Sequence, residues 1–442
     1  MRNWFAALIL VLAWCLCAPP AGAQGSLVLR LTLDEALARA RVTSHRLAEA
    51  RARQAGAEAA VSASETADQP TLSAQAGYTR TNHVVEFSVP SPAGPPRVLY
   101  PDVPNNYYSR LELQWPIYSG GRSGALERAA RAEASAVEAE VAVAQADLRL
   151  EVTRAFWALV TARATVDVLE GGVTRAQAHL ADVRQRRGAG LVPPNEVASA
   201  EAQESRARML AIEATNLRDV AMADLGRLVG VDAAQPIEPA EDLENPGATS
   251  RAVEGLLVEA QAARQERRAL LLRIESATDR RAGAAAGRRP QVGLSGGVDY
   301  ARPNPRIFPR ADQWNESWDA GLHVRWSLWD GGRVTAELAQ ASAVVEAGRQ
   351  RLAEFDSVLA LEVRQRTLEI ASGRAAIEAA TDAVRAATEA RRVVEERYQA
   401  GVIAQGEVRD AEFALVQAQL DETRAGAAMH LAEARLARAV GR

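Results

Sequence analysis

The sequence predicts a mainly α-helical chain that also contains membrane β-strands and is built from two structural repeats. Two Gly-Gly-Arg turns are the first observation: Gly120, Gly121 and Arg122, and then Gly331, Gly332 and Arg333. The second is that residues before each turn alternate between apolar and polar, as in a strand exposed to two different environments. The third is that a long run rich in Ala, Glu, Arg, Leu and Val follows each turn.

The two copies align without a gap across the long runs. Gly331 follows Gly120 by 211 positions, and the same shift places Gly401 on Gly190. Farther upstream, Pro290 follows Pro70 by 220 positions, so the segment between is 9 residues shorter in the second copy. Loops tolerate such changes and packed helices do not, so a variable loop is predicted between the strands. The predicted organisation is a signal peptide (1–23), a first repeat (24–231), a proline-containing linker (232–250) and a second repeat (251–442).

The N-terminal 23 residues have the features of a secretory signal peptide. A short basic start precedes an apolar run, and the small residues at 21–23 form a cleavage site. Both cysteines of the chain, Cys15 and Cys17, lie inside this segment. The mature chain would therefore have no disulfide, thiolate metal site or cysteine nucleophile. Neither cysteine follows the small residue that a lipoprotein signal requires, which argues against lipidation.

Composition excludes several classes of function. The net charge of −4 and pI of about 5.9 are too balanced to indicate a nucleic-acid partner. All 52 basic residues are arginine, so neither a Walker-type phosphate loop nor a Schiff-base enzyme is possible. The five histidines are far apart and lack the spacing of metal ligands. We therefore predict no enzyme activity, metal site or cofactor.

Each repeat is predicted to begin with a helix. Thr32 and Glu35 have the spacing of a capping box, and the first helix should continue to about Glu65. After the strands, long helices are expected at Ser123–Arg187 and Val334–Gln399. The helix Asn195–Val229 then returns, so that two short helices stack end to end beside each long one.

The alternating runs are predicted to be membrane strands. Their length of about 9–11 residues suits a tilted crossing of a bilayer, and Trp and Tyr gather at their ends as in an interfacial girdle. A soluble sandwich would alternate similarly, but these helices have too few large apolar side chains to cover it. The lipid-facing row is expected to contain Val324 near mid-strand, together with Trp318, Leu322, Trp326 and Leu328.

The helices themselves are rich in alanine, with Glu and Arg at short intervals. Helices with water on two faces keep only narrow apolar stripes for their neighbours, so this composition favours a wall around water over a globular core. An ordinary two-stranded coiled coil is the alternative, but it does not account for the strands. Gly171 and Gly172 inside the first long helix indicate a possible bend.

Taken together, these segments resemble the TolC-type outer-membrane efflux family. The resemblance is carried by LTLDEALARA, the two Gly-Gly-Arg turns, AFWALVTAR, and the segments RRGAGLVPPNEV and RYQAGVIAQGEV. It implies a homotrimer in the outer membrane, with a 12-strand barrel continued by a 12-helix periplasmic tube. It also implies a passive duct that docks to a periplasmic adaptor and an inner-membrane pump. A trimeric coiled-coil stalk is the alternative function.

Two sites follow from the resemblance and the repeat. The helical turns carry apolar residues that would be exposed unless an adaptor covers them or the protomer's own packing does: Gly190, Leu191, Val192, Gly401, Val402 and Ile403. Glu407 and Asp410 fall where the family carries an acidic ring at its periplasmic gate. Tyr398 is expected to hold the gate closed through a hydrogen bond, with Glu196 as partner. Ile403 stands where some members carry a closing arginine.

Overall fold

The computed structural model describes residues 28–92, 94–232, 235–243 and 252–442. The predicted signal peptide and part of the predicted linker lie outside these residues. The first repeat contains β1 (Leu29–Leu31), α1 (Leu33–Thr43), α2 (His45–Glu65), β2 (Thr71–Arg80), β3 (Phe87–Ser91), β4 (Gly94–Tyr100), β5 (Asn105–Tyr118), α3 (Arg122–Gly188) and α4 (Pro194–Val229). After β6 (Ile237–Pro239), the second repeat contains α5 (Val253–Ala263), α6 (Gln265–Ala285), β7 (Gln291–Arg302), β8 (Asn315–Arg325), α7 (Arg333–Gln399) and α8 (Gln405–Ala439).

The long helices α3 and α7 have 67 residues each, which corresponds to about 100 Å at the rise of an α-helix. As predicted, two shorter helices lie end to end beside each of them. Arg131 of α3 pairs with Glu65 of α2, and Arg184, nearer the other end of α3, pairs with Glu201 of α4. Helix α7 contacts α6 and α8 in the same way.

The prediction of one helix before each pair of strands is wrong, because that helix is broken in both repeats. Ser44 has extended backbone angles, and its side chain caps α2 by accepting a hydrogen bond from the Leu47 N–H. Arg264 occupies the equivalent position in the second repeat and has nearly the same backbone angles. Its buried guanidinium donates to the carbonyls of Arg438 and Ala439 at the end of α8. These bonds of Arg264 anchor the break between α5 and α6 against the end of α8.

Small residues let α3 approach its neighbours closely. Buried alanines follow one stripe of its first half, at positions 125, 129, 132, 136 and 139. There Ser276 of α6 donates to the Ala129 carbonyl, and Gly283 lies against Leu126. Helix α3 is continuous through Gly171 and Gly172, the site of the expected bend. A Cβ at Gly172 would lie 3.6 Å from Val416 of α8, so this glycine serves close packing.

The largest apolar cluster surrounds Phe156 and Trp157, in the AFWALV segment of α3. Leu31 of β1, Leu47 of α2 and Ile237 of β6 pack there among the buried side chains. Strand β6 pairs in parallel with β1, so the linker, for which no regular structure was predicted, contains a strand. Truncation of a fully buried phenylalanine such as Phe156 typically costs about 3–5 kcal/mol. The cluster thus joins the N-terminal segment and the start of the linker to the bundle.

The membrane strands form one antiparallel sheet in the order β2-β5-β7-β8. The strand register places apolar residues on one face, and all of the following are exposed: Leu72, Tyr78, Tyr107, Leu111, Trp115, Val298, Tyr300, Trp318, Leu322 and Val324. The other face is polar and carries Ser73, Gln75, Arg110, Glu112, Gln114, Ser295, Asp299, Asp319, His323 and Arg325. This confirms the predicted alternation. Within the described residues, β2 and β8 have one neighbouring strand each and form the edges of the sheet.

Two details of the predicted strands are wrong. Strand β8 ends at Arg325, so Trp326 and Leu328 follow the strand, and Val324 lies near its end instead of its middle. The variable loop of the first repeat contains a further hairpin, β3 and β4, that was not predicted. Three prolines, Pro90, Pro95 and Pro96, lie within these two short strands. Proline is unusual in strands and obscures their sequence pattern.

Aromatic residues line both ends of the apolar face, as predicted. At the end far from the helices, Tyr107 lies 5.0 Å from Tyr78 and 5.9 Å from Trp314, and Tyr300 stacks on Trp314 at 4.9 Å (all between ring centroids). Trp115 lies at the helical end of β5, about 26 Å along the strand from Tyr107. This matches the apolar band of about 25 Å in membrane barrels.

The aromatic residues at the helical end are fixed by a hydrogen bond that occurs in both repeats. The Trp115 indole N–H donates to the Asp68 carbonyl at 3.1 Å, and Trp326 donates to the Arg288 carbonyl at 3.1 Å. These pairs obey both sequence shifts, 211 positions for the tryptophans and 220 for their acceptors. The bonds tie the strand ends to the turns that follow α2 and α6.

Both Gly-Gly-Arg turns have the geometry that glycine permits. All four glycines have positive φ, from 67° at Gly331 to 89° at Gly332, and the arginine begins the long helix. In the second repeat the Asp330 carboxylate accepts hydrogen bonds from the N–H groups of Val334 and Gly332, which lower its pKa. In the first repeat the Ser119 hydroxyl accepts from the Ser123 N–H. Among the described residues, no helix is long and apolar enough to cross a membrane.

A charge on the apolar face should be most costly far from the aromatic ends. We expect Leu322→Arg to destabilise the folded protein in lipid by about 2–4 kcal/mol, and Val324→Arg, next to the helical end, by about 0–1 kcal/mol. His323→Gln, on the polar face, is the control and should have little effect. Urea titrations of protein folded into lipid vesicles measure all three. Equal effects of the two arginine variants would contradict the assignment of depth.

The two Gly-Gly turns provide a matched pair of substitutions. At Gly120 a Cβ would lie 3.0 Å from the Ala286 carbonyl oxygen and from the Arg289 Cβ, whereas at Gly331 no atom lies within 4 Å. Both glycines have similar φ, so backbone strain of about 1–2 kcal/mol is common to both alanine variants. We therefore expect Gly120→Ala to be more destabilising than Gly331→Ala in the same urea titration. If Gly331→Ala were the more destabilising, contacts between the new Cβ and neighbouring atoms would not determine the loss of stability.

Candidate functional site

The candidate site lies at the far ends of the two helical hairpins, where α3 turns into α4 and α7 turns into α8. At the first turn Gly190 has a φ of 75°, and the Gly190 and Leu191 N–H groups donate to the carbonyls of Arg187 and Arg186. Gly401 and Val402 repeat this arrangement at the second turn, with a φ of 71° at Gly401. These bonds satisfy the last carbonyls of each long helix. Backbone bonds thus close both turns, and at the first turn the Arg187 guanidinium also donates to the Val192 carbonyl at 3.3 Å.

The predicted apolar residues at these turns differ in exposure. Leu191 is 74% exposed and Val402 is 67% exposed. Val192, by contrast, packs against Leu180 and Val183 within its own hairpin, and Ile403 is half-buried. Each turn therefore presents one large apolar side chain to its surroundings.

A buried glutamine joins the two hairpins. Gln405, the first residue of α8, is 9% exposed, and its side-chain nitrogen lies 3.1 Å from Nε2 of His179 on α3. The same nitrogen donates to the Glu196 carbonyl of α4 at 3.4 Å. We call these residues the Gln405 clamp: Gln405, His179 and the Glu196 backbone.

An ion-pair network joins the hairpins farther from the turns. Glu412 of α8 accepts from Arg175 of α3 at 2.8 Å and from Arg391 of α7 at 2.7 Å. All three side chains are at least two-thirds buried, and charged hydrogen bonds of this kind are stronger than neutral ones. The network therefore holds three helices together within one protomer.

Tyr398 occupies the position predicted, but its predicted bond is absent. The side chain is 5% exposed, and among the described residues its hydroxyl has no hydrogen-bond partner. Its ring instead faces the Arg186 guanidinium, 4.4 Å from the ring centroid, and lies 5.8 Å from the His179 ring. Burial raises the pKa of the Tyr398 hydroxyl, against the opposing effect of the Arg186 charge. The predicted hydrogen bond with Glu196 is thus not formed in this structure.

The acidic pair lies at the start of α8, and both side chains are exposed. Glu407 is in the first helical turn, where the helix dipole favours a negative charge, and Asp410 follows one turn later. Arg409 forms an ion pair with Asp410 at 3.1 Å. Val408 between them is buried, which fixes this stretch of α8 against the bundle. The structure brings His179, Glu196, Tyr398 and Gln405 together, and leaves Glu407 and Asp410 facing outward.

Sequence reasoning did not identify His179 and Gln405 as site residues. They lie 226 positions apart on different hairpins, and neither has a counterpart in the other repeat, where Ala390 and Pro194 stand instead. Only the packing of α3 against α8 brings them together. In the part of the chain that the structure describes, no group of His, Cys, Asp and Glu side chains could hold a metal ion.

Comparison with known proteins agrees with this architecture. The model of the outer membrane efflux protein family matches residues 36–231 and 256–442. Protein CyaE of Bordetella pertussis is 30% identical over 302 residues, which represent 67% of this chain. The matched region spans 62% of the length of that relative.

Solved structures share the fold at low sequence identity. A membrane protein from Pseudomonas aeruginosa superposes with a TM-score of 0.77 at 20% identity, covering 92% of this chain and 93% of its own. The outer membrane protein VceC from Vibrio cholerae has a TM-score of 0.75 at 22% identity, covering 92% and 96%. The MtrE outer membrane channel of Neisseria gonorrhoeae has a TM-score of 0.74 at 20% identity, covering 92% and 88%. The predicted fold class is thereby confirmed.

Proposed function

Because this chain belongs to the outer membrane efflux protein family, we propose that it is a passive exit duct, anchored in the outer membrane and extending into the periplasm. It would serve a tripartite efflux or type I secretion system. The observation that carries this proposal is the four-stranded sheet, which has an apolar and a polar face and continues into helices of 67 residues. A family of efflux proteins also agrees with the prediction that the chain is not an enzyme.

The free edges of the sheet support assembly as a homotrimer. In lipid, the unpaired N–H and C=O groups of β2 and β8 would each lack a partner, at a cost of several kcal/mol per group. Pairing β8 of one protomer with β2 of the next removes both edges. Three protomers of four strands would then close a barrel of 12 strands, with the apolar face toward lipid and the polar face toward water.

The helices support a hollow tube below that barrel. The buried stripe of α3 is rich in alanine, α7 buries few side chains along its length, and most other positions on both helices are polar or charged. A helix with water on two faces has this composition. The alternative of a coiled-coil stalk leaves the sheet and its aromatic ends without a role, so the duct is the better-supported function.

The hairpin turns are the proposed docking site for a periplasmic adaptor, which in turn would join an inner-membrane pump. Leu191 and Val402 are large, apolar and exposed at two turns that are equivalent in the repeats. A protein partner that covers them would remove both side chains from water. The half-buried residues Val192 and Ile403 would support the turns from within.

Site-specific photo-crosslinkers test the docking site. A crosslinker at Leu191 or Val402 should capture an adaptor in intact cells, because both positions would lie in the interface. Ala343, an exposed position near the start of α7 and far from the turns, is the control and should capture much less. Equal capture from all three positions would contradict docking at the turns.

The acidic pair is the proposed selectivity filter at the periplasmic end of the duct. In a trimer, Glu407 and Asp410 would supply six carboxylates, and several like charges around a narrow opening favour cations. Because Arg409 pairs with Asp410 in the protomer, Glu407 should contribute the larger share.

Charge reversal tests the filter in planar bilayers. Glu407→Arg combined with Asp410→Arg should abolish cation preference and block by multivalent cations. The control makes the same change of charge on exposed positions of α7, as Glu346→Arg with Glu354→Arg. If selectivity stays cationic in the first variant, or is lost equally in the second, the filter lies elsewhere.

A further inference from the structure

We propose that His179 and Gln405 are positioning residues that hold the gate closed. Protonation of His179 releases the gate. This inference rests on the proposed duct function, but it concerns two residues that the family resemblance did not supply. It begins from the Gln405 clamp, in which a single side-chain amide joins the second hairpin to both helices of the first.

The hydrogen bonds that the clamp can form determine the protonation state of His179. The Gln405 nitrogen lies within hydrogen-bond distance of two acceptors, His179 Nε2 and the Glu196 carbonyl. An amide NH₂ group carries two hydrogens, so it can donate to both. This arrangement requires a lone pair on Nε2 and therefore a neutral His179.

A protonated His179 has no compatible arrangement here. Its Nε2 then carries a hydrogen and faces the amide hydrogens of Gln405. Rotating the amide by 180° would let its oxygen accept from the histidine, but would turn that oxygen toward the Glu196 carbonyl, a second acceptor. A buried polar contact is lost in either orientation, which disfavours the clamped state.

The clamp also helps to fix the position of the acidic pair, Glu407 and Asp410. Gln405 is the first residue of α8, two positions before Glu407. Farther along α8, Glu412 and its two arginines hold the helix in place. Release of Gln405 therefore loosens the first turns of α8, which carry Glu407 and Asp410 and stay packed through Val408, while the helix body remains fixed. This is the motion that opening a gate at the hairpin ends requires.

Charged and titratable groups surround the clamp on every helix that packs there. They include Arg175, Asp182 and Arg186 on α3, Glu196 on α4, Arg391, Glu395 and Tyr398 on α7, and Glu407 and Glu412 on α8. Among side-chain types, histidine is the one that generally changes its charge between about pH 5 and 8, and His179 is the histidine that contacts Gln405.

Planar-bilayer recordings of the full-length wild-type protein between pH 7.5 and 5.5 provide the test. The open probability should rise as the pH falls, by roughly two- to tenfold for each clamp lost. His179→Gln should remain closed at pH 5.5, because its amide oxygen accepts from Gln405 and does not titrate. His179→Phe and Gln405→Leu should be open at both pH values.

His430→Gln is the control for another partly buried histidine, one that stacks on Trp157 far from the turns, and should keep the wild-type pH response. A pH response that persists in His179→Gln would overturn the inference, as would closure of His179→Phe at pH 7.5. Failure of the filter is a separate result, seen as unchanged selectivity after charge reversal of Glu407 and Asp410. Far-UV circular dichroism and trimer migration verify that each variant is folded.

Discussion

Hydrogen bonding of the strand backbone is the constraint on which the remaining structure depends. A strand in hydrocarbon must have partners on both sides, and four strands per chain leave two edges free. The polar face of the sheet, where Arg110 bridges Asp299 and Asp319, needs water, while the apolar face needs lipid. A closed ring of copies meets all three demands. The helices adjoin one rim of the sheet, where the Gly-Gly-Arg turns lead directly into them, and loops join the strands of each repeat at the other rim.

The long helices extend about 100 Å from that rim to the hairpin ends. They can stay side by side over this length only if their spacing is even, and the buried alanines of α3 allow such close, even spacing. Large side chains are concentrated instead around Phe156, where the paired strands β1 and β6 and the short helices α1 and α2 meet. Near the hairpin ends, polar contacts join the helices: the Glu412 network and the Gln405 clamp.

Much of this architecture could be predicted because it is local or repeated. The glycine turns, the bounds of α3 and α7, and the alternation of β7 follow from residues adjacent in sequence. The break at Ser44 was not predicted, because the helical pattern continues across it and the serine that caps α2 resembles any other polar residue of that pattern. Strand β6 exists because β1 lies beside it, and prolines concealed β3 and β4. For the site, the repeat located both turns, whereas the contact of His179 with Gln405 joins segments that share no pattern.

The paired tryptophan bonds have an evolutionary meaning. Trp115 and Trp326 bind carbonyls at matching positions, although loops of unequal length separate each donor from its acceptor. The simplest origin of this correspondence is duplication of a gene that encoded a single repeat, with the bond already present. Such an ancestor would have contributed two strands per chain, and six identical copies would have closed the proposed ring of 12 strands. After fusion, the two halves were free to diverge, and the glutamine and histidine at the hairpin ends are a product of that lost symmetry.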